Sequence, residues 1–420
     1  MGELAPQTAR QRAFARERME GAADALAVAL AFSLPWSTSA TGILAVLWLI
    51  TLVPTLDIGA LRRVLATPAG ALPVMLWLLG AVGMLWAEVP LAERLDGLGG
   101  FHKLLCIPLL MVQFERSARG VWVLYGFLSG CALLLVTSFA QVLVPALAWS
   151  SDKLVGIPVK DTISQNTLFT VCAFLLADRT WHAWRSKKPG MALAFGALAL
   201  GFVANLLFVT FTRTTAVLVP ILMLLFGFVR FGAKGGFGLV LAGVLVAALA
   251  WPMSQPMRFR IVTFFDEVAR YRVDNERSSA AERLEFWKKS IGFVARAPII
   301  GHGTGSTASL FREAAQGQSG VAAVASVNPH NQVLAVAVPL GFVGAALLAA
   351  MWLAHLWLFR GGGAGAWVGL LIVTQNVVSA AFHSHLFDFT HGWLYVIGVG
   401  AAAGAVRKEA RRPGASEQPP

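Results

Sequence analysis

Val121–Pro145 reads VWVLYGFLSGCALLLVTSFAQVLVP, without a single charged residue. A helix needs about 20 mainly apolar residues to cross the hydrocarbon core of a bilayer, and this stretch is long enough. The strands of a membrane barrel alternate apolar and polar residues over about ten positions, and this stretch does not alternate. Runs of the same kind recur at Ala25–Ile50, Ala69–Trp86 and Leu239–Pro252. Over all 420 residues, 57% are hydrophobic and only 13% charged, with a mean hydropathy of +0.67. A soluble chain carries roughly 25% charged residues. The expectation is an all-α, polytopic membrane protein.

About twelve spans are expected, near 21–35, 38–55, 69–87, 98–114, 120–146, 162–178, 190–209, 214–230, 236–252, 331–358, 364–382 and 390–406. The domain reading is a basic N-terminus over 1–20, spans one to nine over 21–252, a large helical loop over 253–330, spans ten to twelve over 331–406, and a disordered tail over 407–420. Apolar sequence continues past Pro35, so an uncleaved anchor is expected rather than a signal peptide. Cys106, Cys131 and Cys172 lie in or beside apolar runs and read as small buried hydrophobes, without disulfide or zinc spacing.

The net charge of +12 invites a nucleic-acid reading, but the placement of the charge argues against it. Basic clusters at the N-terminus, Arg62–Arg63, Arg116–Arg119, Arg179–Lys188, Arg230–Lys234, Arg360 and Arg407–Arg412 alternate with weakly charged connections. That is the positive-inside pattern, and it places both termini in the cytoplasm. The loop between spans nine and ten breaks the pattern, with Arg258, Arg260, Arg270, Arg272, Arg277 and Arg283 among its cations. Long loops cross membranes regardless of charge, and a loop of this length is usually functional or disordered.

Part of the loop reads as helix. Ser279 and Glu282 have capping-box spacing and open a helix over about 280–295, with Leu284, Trp287, Ile291 and Val294 as its apolar stripe. Arg283 lies on the edge of that stripe. A second amphipathic stretch covers Arg258–Tyr271, with Phe259, Val262, Phe265 and Ala269 on one side.

Clustered arginines at a bilayer surface suit a phosphate-bearing ligand, because guanidinium binds phosphate oxygens through a planar fork. The same surface also suits anionic lipid headgroups. Arg213 sits in the short connection Phe211-Thr-Arg-Thr-Thr215 between two apolar runs; a charge there is costly unless paired or facing a wet cavity. His330 follows Asn328-Pro329 near a helix start, where it reads either as a neutral general base or as a simple cap. His383, His385, Asp388 and His391 cluster before the last span; they allow a divalent-ion site, an Asp388 carboxylate paired to an arginine or orienting a histidine, or an exposed hairpin. Gly301-His-Gly-Thr-Gly305 has phosphate-loop composition without the preceding strand or following lysine.

Three elements, in this order, resemble the O-antigen ligase and polymerase superfamily. They are Thr212-Arg-Thr214; Arg283-Leu-Glu-Phe-Trp287 running to Ala297-Pro-Ile-Ile-Gly-His-Gly-Thr-Gly305; and Pro329-His-Asn-Gln-Val-Leu334 followed by Pro339-Leu-Gly-Phe-Val-Gly344. They cover roughly the C-terminal half, and the first five spans match only as hydrophobic helices. The resemblance, strongest to the O-antigen ligases, implies a GT-C-like helical fold and a metal-independent, inverting glycosyltransferase without cofactor. Its donor would be O-antigen on undecaprenyl diphosphate and its acceptor a sugar hydroxyl of lipid A core, with the site facing the periplasm from the inner membrane. It further implies that Arg213 and Arg283 are the essential arginines and His330 the general base. Arg258, Arg260, Asn331 and, by position alone, Asp388 would bind the diphosphate or substrate. His302 receives no role. Membrane lipids, but no nucleic acid, complete the expected partners.

Rival readings share the pattern. A polymerase or a protein O-oligosaccharyltransferase uses the same donor, so the donor-side residues do not separate them. A flippase for an anionic lipid-linked substrate predicts charge buried in mid-span, where only Asn205, Gln375 and Asn376 stand out as polar. A non-catalytic scaffold tolerates loss of Arg213 and Arg283.

Overall fold

A computed structural model describes residues 4–149, 154–274 and 277–411; the tail expected beyond Arg412 lies outside them. Among the described residues the regular structure is helical, without a strand. The helices are α1 (Leu4–Ser33), α2 (Thr38–Leu52), α3 (Ile58–Leu65), α4 (Pro68–Gly83), α5 (Leu91–Gly99), α6 (Cys106–Arg116), α7 (Gly120–Leu143) and α8 (Thr162–Arg185). There follow α9 (Pro189–Phe208), α10 (Arg213–Ala250), α11 (Gln255–Asp274), α12 (Ser279–Arg296), α13 (Ser306–Ala315), α14 (Gln332–Leu358), α15 (Ala364–Ser379) and α16 (Phe389–Ala410).

Six of these are long and apolar enough to cross a membrane, or up to eight if two bent pairs each count as one span. The expectation of twelve spans is not met on that measure. Two causes are visible. The α5/α6 pair bends by 47° inside the run expected over 98–114, and α4 and α15 have only 16 residues each. And α8 opens with Ser164-Gln-Asn-Thr167, polar residues that face the protein interior instead of lipid.

Runs 214–230 and 236–252, read from the sequence as separate spans, form one helical stretch doubled back at Gly232 (φ 73°, ψ −171°). Gly227 meets Gly236, and Gly243 meets Met223, so the two halves lie antiparallel. Only glycine adopts that backbone without strain, and the small residues let the halves approach closely.

A second break, at Gly341 (φ 62°, ψ −161°) in α14, explains the glycine-rich motif. A continuous helix would join the Phe342 N–H to the Val338 carbonyl and the Val343 N–H to the Pro339 carbonyl. Instead His302 N–H donates to Val338 O (3.0 Å) and Gly303 N–H to Pro339 O (2.9 Å). Phe342 N–H donates to Pro298 O (2.7 Å) and Val343 N–H to Ile299 O (3.2 Å). The loop supplies new partners for all four groups of the two interrupted bonds, as buried backbone groups require. A Cβ at Gly301 would strike Pro339 and one at Gly303 would strike Ala87. These glycines serve close backbone approach, and the phosphate-loop likeness is one of composition.

Segment 253–330 folds as α11, α12 and α13 and docks through Phe286, Phe293, Val294 and Phe311 onto Ala337 and Val338 of α14. The buried stripe of α12 therefore runs through Phe286 and Phe293, whereas Ile291 of the expected stripe is exposed. Both stripes have helical spacing, and the position of α14 selects between them. The cap also shifts by one residue. Ser278 (φ −148°, ψ 166°) accepts from Ala281 N–H, which frees Ser279 for another task. At the far end α16 continues through Arg407 and Lys408, expected to lie in the disordered tail; Arg407 Nε bonds Glu115 (2.8 Å) and Lys408 Nζ bonds the Arg116 carbonyl.

Candidate active site

The Arg213 turn rests on buried polar residues. Thr212 is the N-cap of α10 and accepts from Thr215 N–H (3.2 Å), while Thr215 Oγ1 donates to Asn166 on α8 (3.1 Å). Below it Asn205 accepts from Gln165 (3.3 Å) and donates to Ser138 (2.8 Å). Arg213 lies at the first position of α10 and reaches α11, where its two terminal nitrogens meet the Glu267 carboxylate at 3.0 and 2.6 Å. Its Nε donates to the Arg260 carbonyl (3.3 Å) and its guanidinium lies 5.1 Å from the Phe264 ring centroid. Burial raises the Glu267 pKa, but the Arg213 hydrogen bonds and charge outweigh it and hold the carboxylate below its ordinary value. Glu267 also accepts from Ala280 N–H (3.1 Å) at the start of α12, so one carboxylate ties three helices.

Arg283 stands one turn into α12 and donates to Ser279 Oγ (3.1 Å). Its Nε is buried without a hydrogen-bond partner. Burial and the Arg213 charge, with a smaller effect from Arg260, lower its pKa, while Glu267 and Glu282 raise it; a guanidinium stays charged throughout the working pH range. Glu282 is bound to Arg277, so Arg213, Arg260 and Arg283 together exceed the single Glu267 in charge. Arg258 does not join them. It lies two residues from Arg260, on an exposed face of α11.

His330 has a left-handed backbone (φ 53°), uncommon outside glycine and a mark of functional sites. Three contacts hold it there. Its N–H donates to Asn328 Oδ1 (2.9 Å), Trp287 Nε1 donates to its carbonyl (3.4 Å), and its ring stacks on Phe286 at 5.9 Å. Burial, and then the Arg283 charge, lower its pKa, so the imidazole is neutral at neutral pH. Asn331 is the N-cap of α14 and accepts from Leu334 N–H (3.1 Å). That gives the expected substrate-binding residue a structural task instead.

His383 links the two halves of the site. Its Nε2 lies 3.2 Å from Thr214 Oγ1, beside Arg213, and its ring stands edge-on to His330 at 6.3 Å. His383, His385 and His391 then stack in parallel at 4.7 and 3.7 Å, ending at Asp388, whose Oδ2 accepts from His391 Nδ1 (2.7 Å). Of the three sequence readings for this cluster, the carboxylate orienting a histidine is the one observed. Burial and the nearby Arg283 push the His383 pKa down to about 3. Burial pushes His385 well below its ordinary value. Burial raises the Asp388 pKa, but the His391 bond and charge outweigh it and keep the carboxylate ionised. Parallel rings do not aim their nitrogens at one point, and among the described residues no group of three His, Cys, Asp or Glu could hold a metal ion. His330 and this stack line a cavity of about 700 Å³, within the range of small-molecule sites.

Residues 196–349 match the family model described as O-antigen ligase. That match supports a likeness to the O-antigen ligase/polymerase superfamily over this stretch of the chain. The O-antigen ligase match runs from α9 into α14 and takes in Arg213, Arg260, Glu267, Arg283 and His330, the residues whose side chains meet here. His383–His391 lie beyond it, in a part of the chain that the fold brings back to the same place. No curated protein matches the chain.

The sequence reading missed Glu267 and Asn166, and gave Asn205 and Thr214, which it named, no task at the site. A signal for the first existed, since Arg260 and Glu267 are seven residues apart on α11, off its apolar stripe. Its pairing with Arg213 depends on tertiary placement.

Proposed function

We propose that this multi-pass membrane protein is an O-antigen ligase. In this reading it transfers O-antigen from undecaprenyl diphosphate to a sugar hydroxyl of lipid A core, at the outer face of the inner membrane. The observation that carries it is the convergence of Arg213, Arg260 and Arg283 beside His330, with Arg283 Nε buried and unpaired. A diphosphate gains charge as its glycosidic bond breaks, and fixed cations in a water-poor site stabilise that charge. A buried donor without a partner costs about 1–3 kcal/mol, a cost that a phosphate oxygen would remove.

The proposed chemistry is a single displacement. His330 takes the proton of the acceptor hydroxyl, the oxygen attacks the anomeric carbon from the face opposite the leaving group, and undecaprenyl diphosphate departs with the bonding electron pair. The arginines supply positive charge, so transfer is expected to persist in chelator. The site lies at one end of the bundle, since α16 runs from Asp388 to Arg407 and α6 ends at Arg116 beside Lys408. Basic clusters hold the other end, and the positive-inside rule assigns that end, with both termini, to the cytoplasm.

The test is transfer by purified protein given labelled donor and either lipid A core or donor alone. Product on lipid A core, abolished by His330→Ala, is expected. Chain growth on the donor itself would instead assign a polymerase.

A further inference from the structure

The cavity beside His330 has a charge opposite to that of the arginine cluster. Its walls carry Glu93, Asp96, Asp161 and Asp388 against a single arginine, Arg312. That arginine is bound to Glu93 by one nitrogen, at 2.9 Å from each carboxylate oxygen. Arg213, Arg260 and Arg283 are not among its lining residues. Asp96 is exposed and makes no hydrogen bond or ion pair to any described residue. On the inner wall His385 is 2% exposed, and both of its ring nitrogens lack hydrogen-bond partners; His391 Nε2, equally buried, lacks one too. Buried polar atoms in native proteins are almost always paired, so three such nitrogens along one cavity point to a ligand with hydroxyl groups. Phe387, half-buried and packed at 4.6 Å on the buried Phe101, adds an apolar surface on which a sugar ring can lie.

We propose that this cavity is the acceptor-sugar subsite and that its carboxylates select a neutral or amino sugar over a phosphorylated or uronic one. The inference rests on the ligase reading, because the hydroxyl that His330 deprotonates must come from the space that His330 lines. The arginine flank then takes the diphosphate and the carboxylate flank the sugar. An anionic sugar placed among the carboxylates meets like charge, which weakens its binding. The Asp96 carboxylate can accept hydrogen bonds from sugar hydroxyls at either oxygen. The nitrogens of His385, a neutral imidazole, comprise one donor and one acceptor for the same hydroxyls.

The test uses the full chain in lipid nanodiscs and saturation-transfer NMR with three disaccharides: maltose, deacetylated chitobiose and digalacturonate. Maltose and deacetylated chitobiose are expected to bind saturably, at least about tenfold more tightly than digalacturonate. Asp96→Lys should reverse that order, and His385→Phe should weaken maltose binding at an unchanged melting temperature. Equal binding of all three sugars, or no saturable binding of any, overturns the subsite. Undecaprenyl diphosphate is titrated into the same preparation and into Arg283→Ala. If Arg283→Ala binds it as well as the native chain does, the ligase reading fails instead, whatever the sugars do.

Discussion

His330 combines a strained backbone with a ring whose basicity is lowered by burial and by Arg283. A positioned general base contributes about 10²–10⁴-fold, so His330→Ala and His330→Gln should lower kcat by that order in a transfer assay without shifting the melting temperature. Because the pKa lies below the ordinary histidine value of 6.5, kcat/KM should stay flat through neutral pH and fall only in acid. Stability follows the same groups. Between pH 6.5 and about 3 an unfolded chain protonates its histidines while folded His383 stays neutral. The unfolded state then binds more protons, and stability declines as pH falls, by about 1.4 kcal/mol per unit for each such histidine. A thermal scan from about pH 7.5 to about pH 5 should show that decline, and His383→Gln should flatten it. Arg283→Lys should not restore transfer, since an ammonium lacks the guanidinium fork.

At the scale of elements, the exchange of hydrogen bonds between loop 298–303 and the α14 break is the feature most open to direct test. A Cβ at Gly341 would fall on the Ile299 carbonyl, at a φ that side chains rarely adopt. Gly341→Ala should therefore cost more than about 2 kcal/mol, read as a lower melting temperature, and should disturb the approach to His330. Gly42→Ala, with nothing within 4 Å in mid-helix, should leave stability unchanged or slightly higher. The sequence already showed α12, the amphipathic α11 and the short Arg213 connection, because each follows from local periodicity. The buried face of α12 was misread because its stripe is chosen by contact with Phe311 and Val338, far away in sequence. Gly341 was quoted within a motif, yet a lone glycine in an apolar run does not announce a break.

At the scale of the molecule, the sequence carried the helical class and named Arg213, Arg283 and His330, which the fold brings near one another. It did not carry the span count, since hydropathy cannot foresee the 47° bend inside 98–114 or the buried polar start of α8. Nor could it bring His383 to Thr214, a contact across 169 positions. With the proposed site at one end of the bundle and basic clusters at the other, Val327→Cys near the site should react with a membrane-impermeant maleimide from outside intact spheroplasts. Ala118→Cys between α6 and α7 should react only after permeabilisation. The native Cys106, Cys131 and Cys172 are buried and give little background.

The central claim, that arginines hold a diphosphate while a separate imidazole activates the acceptor, divides binding from catalysis between different residues. Titrating undecaprenyl diphosphate into nanodisc-held native protein, Arg283→Ala and His330→Ala tests that division, with transfer measured on the same samples. The account predicts that Arg283→Ala weakens binding at least about tenfold, and that His330→Ala binds normally yet transfers at least about a hundredfold more slowly. Native affinity in Arg283→Ala, or normal transfer by His330→Ala, would contradict it.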